Sequence, residues 1–160
     1  MKPVCLVLGA GAGIGGTVAR RFAQEGYHAC LCRRSDAEGL KRLVDVIEGD
    51  GNSASGFLLN AIEPGSIEER VAAIEAEIGP IEVVVYNLGA QIGDRALKDT
   101  SAKAFETGWR LGTFGLFRLA SAVCPLMAAR GKGTVLVTSS TAAMRGNGGQ
   151  HSHAAAMGGR

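Results

Sequence analysis

The densest chemistry in this 160-residue sequence is the run Gly9-Ala10-Gly11-Ala12-Gly13-Ile14-Gly15-Gly16, which joins an apolar stretch to the helical pattern of Val18 and Phe22. Glycines there permit a tight turn and let backbone approach a pyrophosphate, and the helix N-terminus that follows favours its negative charge. A dinucleotide site is the reading. Two registers fit it, Gly11-x-Gly13-x-x-Gly16 and Gly9-x-x-x-Gly13-x-Gly15. Past the next apolar run stand Arg33 and Arg34, where a site for NAD would carry an acid on the ribose 2′-hydroxyl. No acid occurs there until Asp36. A guanidinium fork suits a 2′-phosphate, so NADP(H) is expected over NAD(H). His151 and His153 have the spacing of a metal pair but no third ligand, so no metal site is expected.

These residues need a scaffold, and the hydrophobic pattern supplies one. Near-continuous apolar runs at Val4 to Leu8, His28 to Cys32, Ala54 to Leu59, Ile81 to Tyr86 and Thr134 to Thr138 read as strands buried on both faces. Between them lie helical spacings: Ile14, Val18 and Phe22; Leu40, Leu43, Val44 and Ile47; Val71, Ile74 and Ile78. Ser35-x-x-Glu38 and Ser66-x-x-Glu69 read as capping boxes, and Gly26, Gly49 and Gly79-Pro80 as stops. A longer helical region from Ser101 to about Arg130 carries Gly108, Gly112, Gly115 and Pro125, which predict a break or kink. A last helix is expected to start near His153. Alternating strand and helix predicts one α/β domain over 1–160, Rossmann-like, with a doubly wound parallel sheet of order 3-2-1-4-5. Ligands then bind beyond the carboxyl ends of the first and fourth strands, after Leu8 and Tyr86.

Composition sets the outer limits. Hydrophobic residues make up 46% and charged residues 20%, and no uninterrupted apolar run approaches the roughly 18 residues of a membrane span, so disorder and membrane spanning are not expected. Glycine, 24 of 160 residues, is about twice as frequent as usual but follows no Gly-X-Y period, which excludes collagen. A net charge of +2 without a long basic run gives no footprint for nucleic acid or anionic lipid. Cys5, Cys30, Cys32 and Cys124 lie in apolar stretches and read as reduced, buried thiols of a cytoplasmic protein. The apolar residues after Lys2 are taken as a strand rather than a signal peptide, because the glycine loop follows them directly.

The Gly9, Gly13 and Gly15 spacing, with Tyr86-Asn87-Leu88-Gly89 after the fourth strand and Ser139-Ser140 ending the fifth, resembles the short-chain dehydrogenase/reductase family of NAD(P)-dependent oxidoreductases along the whole chain. The resemblance implies that Gly9, Gly13 and Gly15, with Ile14 between them, meet the cofactor phosphates. It implies that Asn87 and Gly89 belong to the family's Asn-Asn-Ala-Gly motif, and that Asn60-Ala61 replaces the Asp that helps seat adenine. Ser140 matches the catalytic serine. Family spacing sets His153 at the catalytic tyrosine, Met157 at the lysine and Gly112 at the asparagine, so the resemblance is nearest to an atypical subgroup lacking the complete tetrad. A phenol near pH ~10 needs a neighbouring cation to work at neutral pH, whereas an imidazole does not. Ser140 and His153 are therefore the candidates to protonate a carbonyl oxygen after hydride delivery.

The resulting expectation is an NADP(H)-dependent oxidoreductase that exchanges hydride between nicotinamide and a carbonyl or alcohol. The alternative is a non-catalytic NADP(H)-binding protein or an inert fragment of the fold. A small-molecule substrate is the expected partner, nucleic acid and membrane are not, and a homo-oligomer stays open. Since the family continues with further strands past the fifth, Thr134 to Thr138 is expected to be a bare apolar edge and the domain to be incomplete at its C-terminus.

Overall fold

The computed structural model describes residues 1–89, 96–146 and 148–160. Five parallel strands form one sheet: β1 (Val4–Leu8), β2 (His28–Arg33), β3 (Ser53–Leu58), β4 (Ile81–Tyr86) and β5 (Thr134–Val137), in the order β3-β2-β1-β4-β5. Helices α1 (Ile14–Gln24), α2 (Ala37–Gly49) and α3 (Ser66–Glu77) make the first crossovers. After them come α4 (Ala102–Trp109), a π-helical segment (Arg110–Phe114), α5 (Gly115–Arg130) and α6 (His151–Gly158). The expected order and crossovers are those observed. β1 is fully covered on both faces, which is why its residues read as one unbroken apolar run.

The two faces carry separate cores. Cys5, Val7, Leu31 and Val85 pack with Ala19, Ala23, Leu40 and Ile47 of α1 and α2. Leu6, Cys30, Val84 and Tyr86 pack with Ile67, Val71 and Ile74 of α3 and with Leu119, Val123 and Met127 of α5. Each fully buried Ile or Leu contributes roughly 1.5–3 kcal/mol. Register aligns Leu8 with Cys32 on one side and Tyr86 on the other, so the loops leaving β1, β2 and β4 open at one level.

Several local punctuation marks differ from expectation. The N-cap of α2 is Asp36, not Ser35: Asp36 adopts a left-handed conformation (φ 64°) and its carboxylate accepts from Gly39 N–H at 2.8 Å. Ser66 is the first residue of α3 rather than its cap, because its hydroxyl donates backward to the Asn60 and Glu63 carbonyls. Gly65, at φ 79°, makes that turn. Gly49 ends α2 from inside, and Gly51 takes the left-handed position beyond it. α6 starts at His151, two residues before the expected start. The break expected between Ser101 and Arg130 is the π segment, which widens the helix by a residue instead of ending it.

Ala102–Arg130 is long and apolar enough by length and hydropathy to cross a membrane. Here it packs on the sheet through Leu119, Val123 and Met127. It also carries the buried Arg118, whose guanidinium pairs with both carboxylate oxygens of Glu68 on α3 and donates to Ala61 O at 2.9 Å. That pairing holds the Glu68 carboxyl below its usual range. At the other side of the sheet, Leu136 and Val137 of β5 are 41% and 39% exposed, and among the described residues no strand pairs with its outer edge.

Candidate functional site

The glycine loop sorts into residues the protein itself requires and residues it leaves open. Gly9 sits at φ +92°, donates its N–H to Cys32 O, and accepts at its carbonyl from Asn87 Nδ2 at 3.0 Å. A Cβ on Gly9 would fall 2.6 Å from Asn87 O, and one on Gly15 would strike Gly9 O. Gly16 likewise lies against Gly11 O and Leu43. By contrast, a Cβ on Gly11, Gly13 or Gly89 would meet nothing within 4 Å. No side chain caps α1 at Gly13, and of its first-turn N–H groups Gly16 is taken by Gly11 O, which leaves those of Ile14 and Gly15 to water or a ligand. Glycine at Gly13 is thus unexplained by internal packing and fits a site of close backbone approach by a phosphate.

Gly9, Gly11, Arg33, Arg34, Ser35, Asn87, Leu88 and Gly89 line one crevice of about 280 Å³ at the carboxyl ends of β1, β2 and β4. Arg33 is partly buried and pairs with Asp36 at 3.1 Å, whereas Arg34 is exposed and forms no ion pair among the described residues. Asn60 and Ala61 lie outside that lining. The Asn60 amide donates to Glu63 within its own loop and its oxygen accepts from Ile62 N–H, while the Ala61 carbonyl is taken by Arg118.

Ser140 and His153, thirteen residues apart, come together: Oγ and Nε2 are 3.3 Å apart. The other ring nitrogen of His153 is buried with no partner among the described residues. Of the two neutral tautomers, the one with its proton on Nε2 avoids burying an unpaired N–H. It donates to Ser140 Oγ and leaves the serine proton free to meet a substrate oxygen. His151 points elsewhere, to the Thr100 hydroxyl at 3.1 Å. A second cavity, of about 360 Å³, opens beside Ser140 between Thr141, Ala142, Arg145, Gly146 and Gln150.

The remaining family positions are filled by packing. Met157 is buried with Ala156, Leu111 and Ala143. A Cβ on Gly112 would sit 2.6 Å from Ala156 Cβ, so the π segment and α6 touch too closely for a larger residue there. Tyr86 is fully buried, donates to Leu111 O, and is pushed up to about 12 by that burial. Sequence reasoning missed one charged group here. Arg160 donates from Nε to Gly112 O at 3.0 Å and from its two terminal nitrogens to Thr138 O and Leu88 O.

Comparison with known proteins agrees with the fold. The family model for short chain dehydrogenases matches residues 3–159. The 3-oxoacyl-acyl-carrier-protein reductase FabG of Escherichia coli (strain K12) is 30% identical over 156 residues, which cover 98% of this chain and 62% of that protein. A short-chain dehydrogenase structure from Rhodopseudomonas palustris is similar at a TM-score of 0.92 and 30% identity, covering 98% of this chain and 73% of that one. A gluconate 5-dehydrogenase from Burkholderia cenocepacia J2315, in complex with NADP and tartrate, is similar at a TM-score of 0.88 and 25% identity, covering 98% of this chain and 61% of that one. Solved neighbours hold NADP in some cases and NAD+ in another. The chain spans less than two thirds of the length of the curated relatives it matches.

Proposed function

We propose, on the premise that this chain belongs to the short-chain dehydrogenase family, that it binds NADP(H) and reduces a small carbonyl compound or oxidises the matching alcohol. The observation that carries the reading is the 3.3 Å approach of Ser140 and His153 at the carboxyl end of β5, beside the glycine crevice. A bound reduced nicotinamide supplies a hydride to the carbonyl carbon. Gly13, Ile14 and Gly15 hold the phosphates through backbone N–H groups, and Arg33 or Arg34 holds the 2′-phosphate. Asn87 ties the glycine loop to the end of β4 through Gly9 O. Ser140 hydrogen-bonds the carbonyl oxygen and passes it a proton, which the doubly protonated form of His153 replaces from Nε2, ending as neutral imidazole.

The second reading is a dinucleotide-binding protein without turnover. It is favoured by Met157 lying in an apolar cluster and by Gly112 having no room for a side chain, so neither contributes to a proton relay. An inert piece of the same fold would bind no cofactor at all. The proposal includes a small-molecule substrate, a cytoplasmic setting, and no nucleic-acid or membrane partner. A homo-oligomer is also proposed, supported by the exposed stack of Trp109, Phe114 and Phe117 on the outer face of α4, the π segment and α5.

Cofactor choice is testable without a known substrate. Titration by nicotinamide fluorescence should show NADPH binding about 10- to 100-fold more tightly than NADH, the scale of one charge-assisted hydrogen bond. Arg34→Ala should remove most of that preference, and Arg33→Ala part of it, since Asp36 already shares the Arg33 charge. Equal affinities in the unaltered chain, or an undiminished preference in both variants, would sink the assignment.

A further inference from the structure

The cavity beside Ser140 shares no lining residue with the glycine crevice. Its volume is about 360 Å³, near the lower end for small-molecule sites, and Thr141, Ala142, Arg145, Gly146 and Gln150 line it. The chain turns back directly after the serine. Ala143 N–H donates to Ser140 O at 3.0 Å, and the N–H groups of Met144 and Arg145 both donate to Thr141 O, at 3.0 and 3.2 Å. One turn thus separates Thr141 from Arg145, and side chains four residues apart on a turn lie about 5–6 Å from each other. Both belong to the cavity wall.

The wall is polar, with the Thr141 hydroxyl, the Gln150 amide and the Arg145 guanidinium, and among the described residues no large apolar side chain and no carboxylate lines it. Such a lining does not suit a long acyl chain. A guanidinium fork holds a carboxylate through two parallel N–H···O bonds, and one such cation matches one negative charge better than it matches a phosphate dianion. Resting on the reading that Ser140 meets the substrate's carbonyl oxygen, we infer that this cavity is the subsite for a carboxylate on the same substrate and that Arg145 sets the specificity for it. The compound reduced is then a small oxo acid, with its carboxylate a few bonds from the carbonyl, and the product is the matching hydroxy acid. Holding the molecule at both ends orients it for hydride transfer.

The test is a calorimetric titration of 2-oxopentanoate and 4-oxopentanoate, each beside its methyl ester, into the full chain saturated with NADP+, so that no turnover intervenes. At least one acid should bind about three- to fivefold more tightly than its ester, the scale of a solvent-exposed ion pair of good geometry. Arg145→Gln and Arg145→Met should bring that acid down to its ester while the ester's Kd and the Kd for NADPH stay within about twofold, and Arg145→Lys should keep part of the advantage. Arg145 is exposed, so these variants should keep the native circular dichroism. Dihydroxyacetone phosphate beside dihydroxyacetone tests the other anion: an Arg145-dependent preference there, with none for the acids, overturns the carboxylate assignment. Acids that bind no better than their esters, acids that do not bind at millimolar concentration, or an advantage that survives Arg145→Gln overturn the inference while cofactor binding stands. Binding of neither NADP+ nor NADPH by the unaltered chain would overturn the cofactor reading, and the same acid and ester titrations without cofactor would still decide the subsite.

Discussion

Gly13→Val is expected to weaken NADPH binding by about 10² to 10⁴-fold while leaving the sheet intact. The loss corresponds to two charge-assisted hydrogen bonds from α1's first turn to the diphosphate, each worth roughly 1.5–3 kcal/mol. Folding is spared because a Cβ at Gly13 enters open space. Gly9→Val makes the contrast: Gly9 sits at φ +92° and its Cβ would fall 2.6 Å from Asn87 O, so that variant should lower the melting temperature as well as binding. Fluorescence titration and thermal melts of the two variants side by side decide the matter. If Gly13→Val binds NADPH normally with native circular dichroism, the loop is a turn and nothing more.

The same contrast shows why two glycine registers fitted the sequence equally. Gly9, Gly15 and Gly16 make close backbone contacts inside the loop, whereas a Cβ on Gly11 or Gly13 would enter open space, where only the proposed ligand asks for glycine. Both demands select glycine, and a string of letters does not separate them. The strands were legible for a simpler reason. β1 is covered on both faces, and such a strand must be apolar at every position. Helix starts were less so: Ser35 and Asp36 are both good caps, and what selects Asp36 is its left-handed backbone, which lets one carboxylate meet both Gly39 N–H and Arg33. Ser66 had the capping spacing, but Gly65 takes the cap position and its carbonyl receives the Glu69 N–H, while the Ser66 hydroxyl donates to the Asn60 and Glu63 carbonyls.

In the site, Ser140 and His153 were legible through the family resemblance, whose spacing sets a working side chain thirteen residues after the serine. Arg160 was not. Its partners are main-chain oxygens of three elements far apart in sequence, and a carbonyl leaves no mark on residue type. Asn60 was legible only as a position: its amide is used within its own loop, where it fixes the Ile62 and Glu63 turn.

Turnover should depend on the serine and the histidine as one unit. With NADPH and a panel of aldehydes, ketones and quinones, kcat is expected to be low. Gly112 and Met157 add nothing to proton transfer, and loss of general acid catalysis costs about 10² to 10⁴ in rate. His153→Ala should lower what remains about 10²-fold, and Ser140→Ala by as much or more, with the Kd for NADPH unchanged within about twofold. The double variant should be hardly slower than Ser140→Ala alone, because His153 acts only through the serine oxygen it touches at 3.3 Å. Additive losses would mean that the two side chains reach the substrate separately. NADPH binding with no turnover in any of the four proteins would leave the non-catalytic reading standing. Brisk turnover indifferent to both substitutions would place the chemistry somewhere other than the end of β5.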